Sequence, residues 1–230
     1  MTDPTPAPLI AIVGSDGSGK STVADALLAW MNEQRPTRLH HLGKQTGHLG
    51  RAIGRWPLVG RRLDKTIVRK SGVAPDSRGP DTLAAIVIFA FSMRRVRRFR
   101  RMLADRARGI AILADRFPQL AVPGPMDGVG LARARPGLSR LLARRERAHY
   151  EWMERFRPDL VIRLNVDLAT ALARKPDHRP SSLATKIADV PRLTFAGAPI
   201  VDLDATRPLD EVIEAAKAAI TPLIAPRNPG

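Results

Sequence analysis

The 230-residue sequence contains no cysteine. That excludes disulfides, thiolate metal sites and a cysteine nucleophile, and it fits a reducing compartment. Aromatic side chains are scarce, with one Tyr, three Trp and six Phe. The basic surface interleaved with stacking platforms that marks single-strand nucleic-acid binders is therefore not seen. Long apolar runs are missing too. The longest, Leu83–Phe91, is too short to span a bilayer and fits a buried helix. Residues 1–8 lack a charged-then-apolar leader pattern and read as a loose tail, so the cytoplasm is the expected location. Acidic residues are few: 22 Asp and Glu stand against 38 Lys and Arg, a formal charge of +16. Arginine carries most of it. Such a balance attracts nucleotides, nucleic acid or acidic lipid; an Arg-, Ala- and Pro-rich chain with a solvated surface is the equal alternative.

What is present is a phosphate-binding pattern. Gly14-Ser15-Asp16-Gly17-Ser18-Gly19-Lys20-Ser21-Thr22 follows the apolar run Leu9–Val13 and matches G-x-x-x-x-G-K-[ST] between a strand and a helix. The glycines let backbone N–H groups curl around phosphate oxygens, and the helix N-terminus adds partial positive charge. Lys20 is expected to reach the β- and γ-phosphates of a nucleotide, and the Ser21 hydroxyl to ligate Mg²⁺.

Apolar runs alternate with helical patterns along the chain, which predicts a parallel sheet covered by helices. Strands are expected at Leu9–Val13, Thr37–Leu42, Ile110–Ala114, Leu160–Asn165 and Ile200–Leu203. Helices are expected at about 20–34, 81–107, 137–156, 168–175, 181–189 and 208–220. One domain at 9–222 accounts for the pattern, with an irregular basic insertion at about 43–80 and a polar tail at 223–230.

A second candidate site is the strand end Asp115-Arg116-Phe117, which the topology delivers to the carboxyl edge of the sheet, where open α/β sheets bind ligands. Asp115 there suits Mg²⁺ or an acceptor hydroxyl, and Arg116 suits a bidentate phosphate clamp. Arg94, Arg97, Arg98 and Arg101 share one helix face, read first as a solvated face and second as a nucleic-acid or anionic-membrane contact. His40, His41 and His48 have no cysteine nearby and read as loop or substrate contacts rather than metal ligands.

The glycine-rich loop with Asp16, the Asp115-Arg116-Phe117 strand end, Pro158-Asp159 leading to Leu164-Asn165-Val166-Asp167, the Ala171–Arg174 helix and Ile200–Ala205 together resemble the thymidylate kinase family in order and spacing. The resemblance covers about 9–42 and 81–220. It implies a P-loop NTPase fold, a three-layer α/β/α sandwich with a five-stranded parallel sheet. It also implies phosphate transfer from ATP, with Mg²⁺, to a nucleoside monophosphate, dTMP being the first candidate. By the same resemblance Asp16 faces the acceptor's sugar hydroxyl, and Arg116 binds the acceptor phosphate with Phe117 beside it. Arg95, or its neighbour Arg94, is a further acceptor-side cation. Arg174 and Arg179 sit in a lid at about 174–182 and approach the transferred phosphate. Dimers through helices are common in that family. The sequence departs from it on the acceptor side. His40-His41-Leu42-Gly43-Lys44 replaces an Arg-Glu-Pro segment, and Pro118–Pro125 replaces a Ser-rich one. Alternative readings are a sugar or sugar phosphate as acceptor, or an NTP-dependent switch for an anionic partner. The latter lacks an Asn-Lys-x-Asp guanine motif.

Overall fold

The computed structural model describes residues 6–43 and 79–225. Most of the expected insertion at 43–80, with His48, lies outside the described residues, as do the ends of both tails. Strands β1 (Leu9–Gly14), β2 (Thr37–His41), β3 (Ala111–Asp115), β4 (Leu160–Asn165) and β5 (Ile200–Asp204) form one sheet in the order β2-β3-β1-β4-β5. Every pairing is parallel. Flanked by helices on both faces, this is the α/β/α sandwich of a P-loop NTPase.

The central strand explains the layering. All six residues of β1 are buried, as a parallel strand with helices on each face requires. Its side chains alternate between two cores. Leu9, Ala11 and Val13 join Val96, Phe99, Met102, Tyr150 and Met153 on one side. Ile10 and Ile12 join Val23, Leu27, Met31, Ala216 and Ile220 on the other. The first core is roofed by α2 (Thr82–Ala107) and α3 (Leu138–Glu154), the second by α1 (Lys20–Gln34) and α6 (Leu209–Ile224). Phe99 joins the two helices of the first roof, its ring edge-on to Trp152 at 5.6 Å.

Local chemistry sets the helix starts. Asp81 caps α2 by accepting from the Ala84 N–H at 2.8 Å. Asp167 caps α4 (Leu168–Arg174) in the same way through Thr170. Pro180 opens α5 (Pro180–Asp189), where its missing N–H costs nothing.

Three expectations need correction. The Leu83–Phe91 run is not a buried helix: Leu83 and Ile86 are 47% and 45% exposed, while Ala84 and Ala85 are buried. Only one stripe of the first turns of α2 meets the core. Strand β3 extends to Asp115, because the backbone of Asp115 and Arg116 stays hydrogen-bonded to Leu42 and Ile12. Helix α6 continues past 220 to Ile224 and takes Pro222 into its last turns, because burial of Ile220 and Ile224 outweighs the lost proline N–H bond. No helix among the described residues is long and apolar enough to cross a membrane.

Candidate active site

The site forms where β1 and β3 end side by side, with Ile12 opposite Asp115 in register. Beyond β1 the chain turns through Gly14–Gly19 into α1. Gly17, at φ 84°, lies against α4: a Cβ there would come within 2.8 Å of the Ala171 carbonyl oxygen. That close approach is the local reason for a glycine. The N-cap residue Gly19 has no side chain to cap α1, and a helix N-terminus of this kind suits an anion. Lys20 is buried, and its ammonium donates to the Ser15 carbonyl inside the loop. Burial lowers its pKa to about 8; the Arg116 charge adds to this, and Asp16, Asp115 and Asp127 only partly offset it.

Around this loop lies a cavity of about 440 Å³. Asp16, Gly17, Gly19, Lys20, Ser21 and Thr22 form its floor, and Asp115 and Arg116 form one wall. Arg174, Lys175 and His178, from α4 and the connection to α5, form the facing wall. A smaller cavity of about 230 Å³ adjoins it, sharing Gly19, Thr22 and Arg174, with Val23, Leu209 and Val212 as its apolar side. Arg174 sits between the two, donating to the carbonyls of Gly17 at 3.3 Å and Ala205 at 2.9 Å.

Two carboxylates organise the main cavity. Asp115 Oδ2 accepts from His41 Nδ1 at 2.9 Å, while its Oδ1 is buried with no partner among the described residues. Asp16 accepts from Arg116 at 3.1 Å and from Lys186, and His178 Nε2 lies 3.8 Å away. Burial alone would raise the Asp16 pKa; the Lys186 hydrogen bond and charge, then Arg116 and Lys20, outweigh it and hold the carboxyl well below the usual range. Arg116 stands on left-handed backbone, φ 67°, and also faces Asp127 at 3.6 Å.

The chain is 40% identical over 221 residues to an uncharacterized ATP-binding protein, YghS, of Escherichia coli K12, covering 94% of the chain and 93% of that protein. It is 36% identical over 218 residues to a second uncharacterized ATP-binding protein of that strain, YghR, covering 93% and 86%. It belongs to the family of YghS and YghR. No family model matches the sequence.

In this member of the YghS/YghR family the expected residues are not all brought together. Asp16, Gly17, Gly19, Lys20, Ser21, Thr22, Asp115, Arg116 and Arg174 meet at one cavity, Ser18 lines the smaller one, and Gly14 and Ser15 stand behind them in the turn. Arg95 and Phe117 do not line it. The Arg95 guanidinium is fully buried, bonded to the Asp127 carboxylate, to its carbonyl at 2.8 Å and to the Tyr150 hydroxyl at 2.7 Å. The Phe117 ring packs in the core against Phe99 and Phe195. Both are corrected from direct contacts to supports of the wall. Arg94 is exposed on α2, and Arg179 is exposed at the cap of α5. Arg98 is not a freely solvated charge: it donates to the carbonyls of His41 at 2.9 Å and Gly43 at 2.6 Å, tying α2 to the end of β2. His40 pairs with Asp105 at 3.1 Å, away from the cavity.

His41, read as a loop or substrate contact, bonds Asp115 at the cavity wall, while Lys175, His178, Lys186 and Asp127 escaped sequence reasoning as individual residues. No motif marks them, and only the fold brings them to the P-loop. Ser21 and Asp115 fit a hard divalent cation: a hydroxyl at the helix start and a buried carboxylate oxygen with no partner among the described residues. Among the described residues no cluster of three or more His, Asp or Glu makes a metal cage.

Proposed function

We propose that the chain is an ATP-dependent phosphotransferase of the thymidylate kinase type, moving the γ-phosphate of ATP to a nucleoside monophosphate, with dTMP the first candidate. One observation carries the reading. Cations from three elements face one space of about 440 Å³: Lys20 from the P-loop, Arg116 from the end of β3, and Arg174 with Lys175 from the opposite wall. Phosphoryl transfer needs positive charge on every side of the moving group, because its transition state spreads negative charge over the equatorial oxygens. That the relatives YghS and YghR are named as ATP-binding proteins supports ATP as the donor.

In this reading the triphosphate lies along Gly14–Thr22, and the nucleobase enters the smaller cavity against Val23, Leu209 and Val212. Ser21 and Asp115 would hold Mg²⁺, which would supply charge neutralisation at the phosphates. Lys20 holds the β- and γ-phosphates. An acceptor phosphate oxygen attacks the γ-phosphorus, the bond to the β–γ bridging oxygen breaks, and ADP leaves. An anionic acceptor oxygen needs no general base. A hydroxyl acceptor, as on a sugar or sugar phosphate, needs one, and the buried Asp115 Oδ1, without a partner among the described residues, favours this as the second reading.

An acceptor screen tests both. Purified protein with MgATP is assayed for ADP release against a panel of nucleoside monophosphates, sugars and sugar phosphates. Acceptor-dependent release supports transfer, and the panel member that stimulates it identifies the acceptor class. No stimulation by any member, with ATP bound, contradicts it. For a hydroxyl acceptor, Asp115→Asn removes the base as well as a Mg²⁺ ligand, so kcat falls by a larger factor than the ATP KM rises; for an anionic acceptor the fall in kcat does not exceed the rise in KM.

A further inference from the structure

Two consecutive residues at the tip of the P-loop are gripped from opposite ends of the same wall. Arg174, at the end of α4, donates to the Gly17 carbonyl at 3.3 Å. Lys186, on α5, donates to the Asp16 carboxylate. Between these two fasteners runs the exposed connection 175–179; among the described residues its backbone bond within the segment is from the His178 N–H to the Lys175 carbonyl at 3.1 Å, and His178 Nε2 lies 3.8 Å from the same Asp16 carboxylate. Its side chains Lys175 and His178 nevertheless line the cavity. A short exposed connection with so little internal bonding owes its placement to its ends.

The Lys186 side chain is 22% exposed and that of Asp16 is 20% exposed, so their pair is shielded from solvent more than an ordinary surface ion pair. Asp16 has both oxygens engaged, Oδ1 by Arg116 and Oδ2 by Lys186. An acceptor hydroxyl would have to compete with two cations for it.

We propose that Lys186 is a positioning residue of the phosphotransfer site: its ion pair with Asp16 fastens α5 to the P-loop and so holds Lys175 and His178 over the phosphates. Asp16 is then the anchor of this wall rather than a ligand of the acceptor sugar. The inference rests on the kinase reading for its consequence in catalysis, but not for the fastening itself.

The test compares Lys186→Met with Lys186→Arg in the full chain. Without nucleotide, amide hydrogen exchange across 174–186 is expected to quicken about tenfold in Lys186→Met and to return to within a few-fold of the starting rate in Lys186→Arg, with β1 and β3 unchanged. In calorimetry with MgATP, Lys186→Met is expected to weaken binding by about tenfold, again restored by Lys186→Arg. Unchanged exchange across 174–186 in Lys186→Met overturns the proposal. So does faster exchange spread evenly into β1 and β3, which marks a merely structural residue. A chain that shows the exchange effect but binds no MgATP keeps the fastening and overturns the kinase reading instead.

Discussion

Arg116 and Asp127 face each other at 3.6 Å, and both stand on left-handed backbone, at φ 67° and 63°. Non-glycine residues hold that conformation at some cost, which the surrounding contacts must outweigh. Here the contacts are ionic. Asp127 is tied through its carboxylate and carbonyl to the fully buried Arg95, and Arg116 is tied on its other side to Asp16. A line of alternating charge thus runs from the interior under α2 to the P-loop.

Removing Asp127 should therefore be costly. Asp127→Ala leaves the Arg95 guanidinium, 0% exposed, without its carboxylate. The expected loss of stability is about 3–5 kcal/mol, as for other broken buried pairs. Urea unfolding measures it, and a loss below about 1 kcal/mol would show that the pair does not matter.

The pKa of Lys20, lowered to about 8 by burial, makes a second prediction. A bound triphosphate favours the charged ammonium and raises that pKa, so near pH 8 and above the complex carries more protons than the free protein. ATP binding should take up a proton in this range, and affinity should fall as pH rises through about 8. Near pH 6 the free Lys20 is already charged and uptake by this group should vanish. Calorimetry in buffers of different ionisation enthalpy reads the uptake directly. Equal uptake at pH 6 and pH 9 would contradict the assignment to Lys20.

Gly17→Val tests the contact between the P-loop and α4. A side chain here must adopt φ 84° and meets the Ala171 carbonyl oxygen at 2.8 Å and its Cα at 2.9 Å. Strain of this kind costs on the order of 1–3 kcal/mol. Because Arg174 also bonds the Gly17 carbonyl, the displaced loop should lose MgATP affinity as well as stability. Thermal melting with and without MgATP checks it: the shift on adding nucleotide should shrink, and an undiminished shift would mean that the loop tolerates the side chain.

The fold was legible because its signals are local. Apolar runs and the glycine-rich turn set strand and helix positions close to those observed, and the parallel sheet follows from their alternation. The floor of the site was legible for the same reason, since Gly14–Thr22 is one continuous segment. The facing wall was legible only in part: the family resemblance brought Arg174 and the segment 174–182 toward the phosphates, but it marked neither Lys175 nor His178 nor the Lys186 anchor. Lys186 lies 170 residues from Asp16, and Asp127 lies 32 residues from Arg95, so nothing in either neighbourhood announces the pair. Arg95 shows the converse failure. Within Arg94–Arg101 its charge looks like its neighbours' charges, and only the packing of α2 on α3 reveals that it points inward to Tyr150 and Asp127. The exposed Leu83 and Ile86 misled in the opposite direction, because hydropathy reports a residue's preference and not the width of the face its helix buries.

The central claim is that the glycine-rich loop holds a triphosphate through Lys20. Isothermal calorimetry with MgATP, comparing the natural chain with Lys20→Ala, tests it most directly. The natural chain should bind one MgATP per protomer, and Lys20→Ala should weaken that binding by about 100-fold or more while the fold is kept. Equal affinity in the two proteins, or no MgATP binding by the natural chain, would contradict the account.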